Sequence, residues 1–378
     1  MISEALVALV TCPRCPADGA ATPRLRPCDG GAVLLCPRCG ARYPQPGGGY
    51  LDLRPPAPPG GRETLYSAEA GEFAAALAYR SVGVPLLGAA VRERWLRRWL
   101  PLGPGRLVLD AGCGDGRFAL WNGGSGARIV GLDAAPLFAD AALDAVDLVR
   151  GDLRALPFPT ACFDAVYSID VMEHLDAHGL EGYFAEIARV LKPGGLCYLY
   201  SNTRERATLW PVVEGWGRVS RWLRGRGVGD FRADDLRKSD HVKVLTTFEQ
   251  VAGFAAYHGL RVERVRFWNG VFQGLIDNVL VRLGEALLLR RGAWSVERGA
   301  WSVERESVEH ESESEDTDAL RSTLYAPRST ARQDVARRPA ARLALRALTA
   351  LMQLDVILFG RLRSGPFFAL LRREKPRR

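Results

Sequence analysis

The sequence predicts an α/β fold built on a parallel sheet, and three observations predict it. Residues 106–116, Arg-Leu-Val-Leu-Asp-Ala-Gly-Cys-Gly-Asp-Gly, run from β-favouring residues into an acid and then three glycines at every second position. Further short apolar runs each close on a carboxylate: 128–133 at Asp133, 149–152 at Asp152 and 163–170 at Asp170. Their spacing is that of βα units, so the loops should gather along one edge of the sheet, where open α/β sheets bind ligands.

The elements follow in chain order. The apolar run Ala5–Val10 lacks a basic region before it and makes a poor signal peptide. Cys12-Pro-Arg-Cys15 and Cys36-Pro-Arg-Cys39 form two knuckles separated by 20 residues. Four thiolates in two such pairs can surround a tetrahedral Zn²⁺; two disulfides or a redox pair are the competing readings. A chain without a secretory signal argues against disulfides. The segment from Asp29 to Leu35 reads as a turn and a strand carrying the second knuckle, so 1–54 is expected to be a zinc ribbon. A ribbon that short has too small a core to fold well without metal. Cys28, Cys113, Cys162 and Cys197 read as packing residues. The Pro-rich run from Pro55 opens a linker and helical cap over 55–84.

The core is expected over 85–290. In the loop after Asp110, Gly112, Gly114 and Gly116 have no Cβ, which lets bare backbone approach a nucleoside, and the helix that follows should add free N–H donors. Asp133 lies 17 residues beyond Gly116, near the distance at which nucleotide-binding α/β folds place an acid on the ribose hydroxyls. A helix over about 180–191 leads into Leu191-Lys-Pro-Gly-Gly195 and a strand from Leu196 to Tyr200. A dinucleotide-binding domain would use the same glycine loop for pyrophosphate.

Together and in order, Leu109 to Gly116, Gly131-Leu-Asp133, Gly151-Asp152, Phe163-Asp164, Glu173-His-Leu175 and Arg189 to Gly195 resemble the class I S-adenosylmethionine-dependent methyltransferases over roughly 85–268. The resemblance implies a Rossmann-like seven-stranded sheet in the order 3-2-1-4-5-7-6 with its last strand antiparallel. It also implies that Asp110 and the glycine loop hold the methionine part of S-adenosylmethionine, Asp133 the ribose, and Asp152 with Leu153 the adenine edge, with Ser168 among the cofactor residues. The N-terminal segment is similar to the small zinc-ribbon protein that partners tRNA and protein methyltransferases. It is also partly similar to the ribbon of bacterial guanine-N1 ribosomal RNA methyltransferases.

Beyond the common core, Asn202 to Lys238 mixes arginines with Trp210, Trp216 and Trp222. It reads as an amphipathic cap helix over the site, or as a stacking surface for nucleic acid. A helix over Thr247–His258 ends at Gly259, and a strand runs over Leu260–Phe267. Arg-Gly-Ala-Trp-Ser-Val-Glu then occurs twice in tandem over 291–304 and drifts into an acid-rich run, so 291–338 reads as a low-complexity, disordered insertion. Residues 339–378 should supply the last helix and, at Phe367–Arg373, the final edge strand with a basic tail. From Arg332 to Arg378 there are twelve basic and three acidic residues, and Leu343, Leu345, Leu348, Leu351, Leu354 and Leu358 approximate helical spacing. Such a helix packs on the sheet, rests on a membrane surface or attracts nucleic acid. Arg346 and Asp355 interrupt the longest apolar stretch, which argues against a membrane span.

With 378 residues and 47% hydrophobic content the chain can bury a sizeable core; its net charge is +8. Methyl transfer needs mainly alignment of the acceptor, and a hydroxyl or ring nitrogen also needs a base. His241 and Asp170 are the candidate catalytic residues, with His174 and Glu173 beside them. The expected function is methyl transfer from S-adenosylmethionine to a small or lipid-like metabolite in the cytoplasm, with peripheral membrane contact through the C-terminal region. The alternatives are an RNA base methyltransferase that uses the ribbon for RNA contact, and a non-catalytic cofactor-binding subunit.

Overall fold

The computed structural model describes residues 2–15, 23–54, 82–228, 242, 244–290 and 339–375. Residues 55–81 of the linker and cap expected over 55–84, the insertion expected at 291–338 and His241 lie outside the described residues.

The N-terminal segment comprises helix α1 (Glu4–Leu9) and strands β1 (Arg26–Cys28), β2 (Val33–Leu35), β3 (Arg42–Pro44) and β4 (Leu51–Asp52). The core then runs through α2 (Leu87–Trp99), β5 (Leu107–Ala111), α3 (Arg117–Asn122), β6 (Arg128–Asp133), α4 (Asp140–Ala145), β7 (Asp147–Arg150) and β8 (Phe163–Ile169). It continues with α5 (Ala177–Val190), β9 (Leu191–Asn202), α6 (Trp210–Gly225), α7 (Phe248–Tyr257) and β10 (Leu260–Phe267). Helix α8 (Val271–Leu275) passes through a π-helical turn (Ile276–Leu280) into α9 (Val281–Arg290), and α10 (Pro339–Phe359) and β11 (Pro366–Arg373) complete the chain.

Two sheets result. The strands β1-β2-β3 form a small antiparallel one, and eight strands in the order β10-β11-β9-β8-β5-β6-β7-β4 form the main one. From β4 to β9 all neighbours are parallel, while β11 is antiparallel to both β9 and β10. Seven of these strands follow the expected order. The eighth, β4, comes from the N-terminal segment and pairs with β7, so a segment expected to end as a separate ribbon completes the edge of the sheet. Strand β11 is not an edge strand, as its place in the sequence suggested, but lies between β9 and β10. Its central residues Phe367 to Leu371 are all buried, which explains their unbroken apolar run.

The N-terminal segment is held to the core by backbone and side chain. Thr11 N–H donates to the Pro157 carbonyl (2.9 Å), Leu53 N–H to that of Arg150 (2.8 Å), and the Ser3 hydroxyl to Asp147 (2.6 Å). Leu6, Val10, Leu51 and Leu53 join the same buried apolar cluster as Val130, Val149 and Phe158. The run that reads poorly as a signal peptide is α1, which starts on a Ser3 cap. On the opposite face of the sheet, α2 packs Val91, Trp95 and Trp99 against Tyr198 and Phe368, with Trp95 and Trp99 edge to face at 5.2 Å. Helix α5 starts three residues earlier than expected because Asp176 caps it, its carboxylate accepting from Gly179 N–H at 2.7 Å.

Candidate active site and cysteine cluster

The glycine loop stands at the end of β5. Gly112, Gly114 and Gly116 have φ of 81°, 55° and 81°, a region glycine enters without strain. Their surroundings separate their roles. A Cβ on Gly112 would lie 2.3 Å from Val171 Cγ2 and one on Gly116 2.7 Å from Ala142 Cβ, whereas one on Gly114 would meet nothing within 4 Å. Two of the glycines therefore let neighbours pack closely, and the third faces open space.

Several N–H groups of this loop, and that of Arg117 at the start of the following helix, are taken by the local chain. Gly112 and Cys113 donate to the Leu132 carbonyl (2.8 and 3.0 Å), Gly114 to Asp133 Oδ2 (2.8 Å), and Arg117 to Asp115 Oδ1 (3.1 Å). With these donors taken, the loop itself offers chiefly shape and nearby carboxylates.

Those carboxylates are distinctive. Asp110 is buried, and its Oδ2 has no hydrogen-bond partner. Burial pushes its carboxyl well above the usual range; the Tyr167 hydroxyl opposes this, and the charges of Asp133 and Asp115 add to it. Asp133 accepts from Gly114 on one oxygen and from Ala135 N–H (2.9 Å) on the other, and burial raises its carboxyl while these N–H groups lower it. An orphaned buried acceptor beside an acid that still has lone pairs suits a ligand bearing a cationic group and hydroxyls. The residues present therefore fit S-adenosylmethionine.

Not every expected site residue faces this opening. Ser168 is buried and donates its hydroxyl to the Ala111 carbonyl at 2.7 Å, so it ties β8 to β5 beneath the loop and is not positioned to touch a ligand. Asp152 accepts from Arg154 N–H (2.8 Å) and from the Arg154 guanidinium (2.6 Å) at the end of β7, with Leu153 half-buried beside it. Asp170 adopts a left-handed φ of 58° and is ion-paired with Arg92, which caps the Tyr200 ring at 5.1 Å.

Next to it lies a group that spacing alone does not distinguish. Glu173, in the turn after β8, is buried and accepts from the Ser201 hydroxyl and from Asn202 Nδ2 (3.2 Å), both at the end of β9. Burial, with the charge of Asp170, pushes its carboxyl from 4.5 up to about 7, His174 and Ser201 opposing. Val242 N–H closes on the Glu173 carbonyl at 2.8 Å. The Glu-His-Leu triplet was visible in the sequence, but the Glu173 partners Ser201 and Asn202 belong to no motif, and only the end of β9 in space brings them to it.

The four cysteines form the second site. Cys12, Cys15, Cys36 and Cys39 have Sγ atoms all within 4.8 Å of one another, with Cys12–Cys39 and Cys15–Cys36 at 3.7 Å. None of the four is joined in a disulfide. Four sulfurs about 2.3 Å from a central ion stand about 3.8 Å apart along a tetrahedron's edges, so the cluster fits a tetrahedral thiolate centre. The Tyr43 hydroxyl lies 3.2 Å from Cys12 Sγ, placed to steady that sulfur.

Fold and glycine-loop site together define an α/β domain built to hold a nucleoside cofactor. Residues 109–199 match the methyltransferase domain family, and the chain carries a class I S-adenosylmethionine-dependent methyltransferase domain. A sterol 24-C-methyltransferase from Gibberella zeae is 37% identical over 127 residues, covering 29% of this chain and 31% of that protein. The malonyl-[acyl-carrier protein] O-methyltransferase of Serratia marcescens is 29% identical over 210 residues, covering 52% and 78%. Among solved structures, Haemonchus contortus phosphoethanolamine N-methyltransferase 2 in complex with S-adenosyl-L-methionine aligns with a TM-score of 0.43 at 17% identity, covering 85% of this chain and 62% of that one. The chain spans about a third of the length of the sterol methyltransferases it matches.

Proposed function

We propose that this chain transfers the methyl group of S-adenosylmethionine to a small or lipid-like acceptor. The observation that carries the reading is the open space at Gly114, whose N–H donates to Asp133, together with the buried Asp110 oxygen left without a partner. When bound, the cofactor supplies an electrophilic methyl on a sulfonium, already a good leaving group, so the protein's main task is alignment. Asp110 receives the cationic methionine end, Asp133 the ribose hydroxyls, and the stretch around Asp152 and Leu153 borders the adenine.

Glu173 stands on the acceptor side, beyond the end of β8. Near pH 7 it is poised to take a proton from an acceptor hydroxyl or amine. In the N-terminal segment Cys12, Cys15, Cys36 and Cys39 hold a structural Zn²⁺, whose role is to fix the fold that presents β4. The sterol and acyl-carrier relatives support a lipid-like acceptor over RNA.

Two measurements test this. Calorimetry with S-adenosylmethionine should show binding by the natural chain and loss of binding by Gly114→Val, which fills the opening. Radiolabelled methyl transfer should then mark a lipid or metabolite extract and leave total RNA unmarked. Label in RNA, or undiminished cofactor binding by the variant, would defeat the reading.

A further inference from the structure

Helix α10 is a surface helix turned inside out. Its inner side meets the core through Met352 and Val356, and the buried Asp355 accepts from Phe272 N–H (3.0 Å), Gln273 N–H (2.8 Å) and Trp268 Nε1 (3.3 Å). A helix anchored that way ordinarily turns polar side chains to water. Here Leu343, Leu354, Ile357 and Leu358 are exposed, by 71, 39, 57 and 59%, with Arg346 on the same face and Arg361 just beyond its end. These positions recur at helical spacing, so they form one stripe. Asp355 is the only acid in the helix and points inward.

Helix α6 repeats the pattern. Val212, Val219 and Trp222 stand exposed, Arg226 stacks on the Trp222 ring at 4.0 Å, and Arg206 stacks on Trp210 at 3.6 Å. The two helices are neighbours: α8 packs against both, and Thr208 N–H, just before α6, donates to the Arg363 carbonyl, just after α10, at 2.8 Å.

We propose that this face docks on an anionic phospholipid bilayer, with α10 lying along the surface. Aliphatic side chains enter the acyl boundary, tryptophans sit at headgroup depth, and arginines meet lipid phosphates. No helix among the described residues is long and apolar enough to cross a membrane, so the helix rests on the bilayer. A nucleic acid would have no use for an aliphatic stripe. A second copy of the chain would press Arg346 and Arg361 into an interface where α10 offers no acid to receive them. The proposal stands apart from the identity of the methyl acceptor, since binding is measured without one.

The test is flotation of the full chain with vesicles of phosphatidylcholine alone or of phosphatidylcholine mixed with phosphatidylglycerol. The chain should float with the mixed vesicles and detach as salt is raised. Leu354→Glu with Leu358→Glu should cut the bound fraction at least about tenfold, because both side chains leave water on docking. Arg346→Glu with Arg361→Glu should abolish the preference for the anionic vesicles. All four positions are exposed, so both variants should keep the natural thermal midpoint and cofactor affinity. Failure of the natural chain to float would overturn the proposal, as would full binding by the leucine variant. So would retention on single-stranded RNA without flotation, or a dimer that the leucine variant splits.

Discussion

Asp133→Ala is the substitution that most directly interrogates the cofactor site. In the folded chain this carboxylate holds Gly114 N–H at 2.8 Å and Ala135 N–H at 2.9 Å. It therefore both binds and shapes: one oxygen fixes the glycine that faces the opening, and the other fixes the turn after β6. Removing it leaves two amides without their acceptor in a half-buried loop that water reaches in part. Hydrogen bonds to a charged group contribute about 1.5–3 kcal/mol each when intact, and part of that is recovered through water, so the apo protein should lose roughly 1–3 kcal/mol of stability. Loss of the ribose contacts should weaken S-adenosylmethionine by a further 1–3 kcal/mol, roughly ten- to a hundredfold in Kd. Asp133→Asn keeps one carbonyl oxygen and should fall between. Calorimetry gives the affinity and thermal unfolding the stability. An alanine variant that unfolds earlier but binds with unchanged affinity would show Asp133 to be scaffold only, and the ribose assignment would fall.

Three other outcomes are expected. Because folding raises the Glu173 carboxyl from 4.5 to about 7, the native state binds more protons than the unfolded one between those values, so its contribution to stability is present below about 4.5 and is lost as pH rises through 7. Glu173→Gln should flatten that fall in thermal midpoint, worth at most roughly 3 kcal/mol, and an unchanged slope would place the titration elsewhere. Elemental analysis of protein purified without chelator should find one zinc per chain, and Cys36→Ser should lower both zinc content and thermal midpoint; metal-free protein of undiminished stability would contradict the thiolate centre. Gly112→Ala and Gly114→Ala both place a Cβ at a positive φ, which costs about 1–2 kcal/mol, but only the former also meets Val171 at 2.3 Å, so Gly112→Ala should destabilise the apo fold more and Gly114→Ala should cost cofactor affinity beyond its smaller loss of stability; equal effects in both assays would erase the distinction between packing and cradle.

The strands of the core were legible because each carries its own local signature, an apolar run closing on an acid or a turn, while their order was implied by the family resemblance. What escaped the sequence depended on partners. Leu51-Asp52 is too short to declare itself a strand and becomes one because the β7 edge accepts it. Phe367–Arg373 looked like an edge strand from its residues alone, although the strand order implied by the resemblance already put it between two others, where it lies. Within the site, the sequence names the loop glycines and Asp133 together and the structure joins them through Gly114 N–H, whereas the Ser168 hydroxyl turns to the Ala111 carbonyl, because a hydroxyl at a strand end looks the same in sequence whether it faces a ligand or a neighbouring carbonyl. The α10 leucines, one periodic series on paper, divide in space between an inner side with Leu348 and Leu351 and an outer side with Leu343, Leu354 and Leu358.

The position of β11 has a consequence for the order in which the molecule can be made. A ribosome delivers β9 and β10 long before the strand that belongs between them, for Phe267 pairs with Phe367 and Asn202 with Pro366. Until then two strand edges stand open to any passing chain, a hazard that charged or capped edges usually guard against. The burden falls on time: the nascent protein must keep the gap between β9 and β10 open for a strand whose Phe367 follows its partner Phe267 by about a hundred residues.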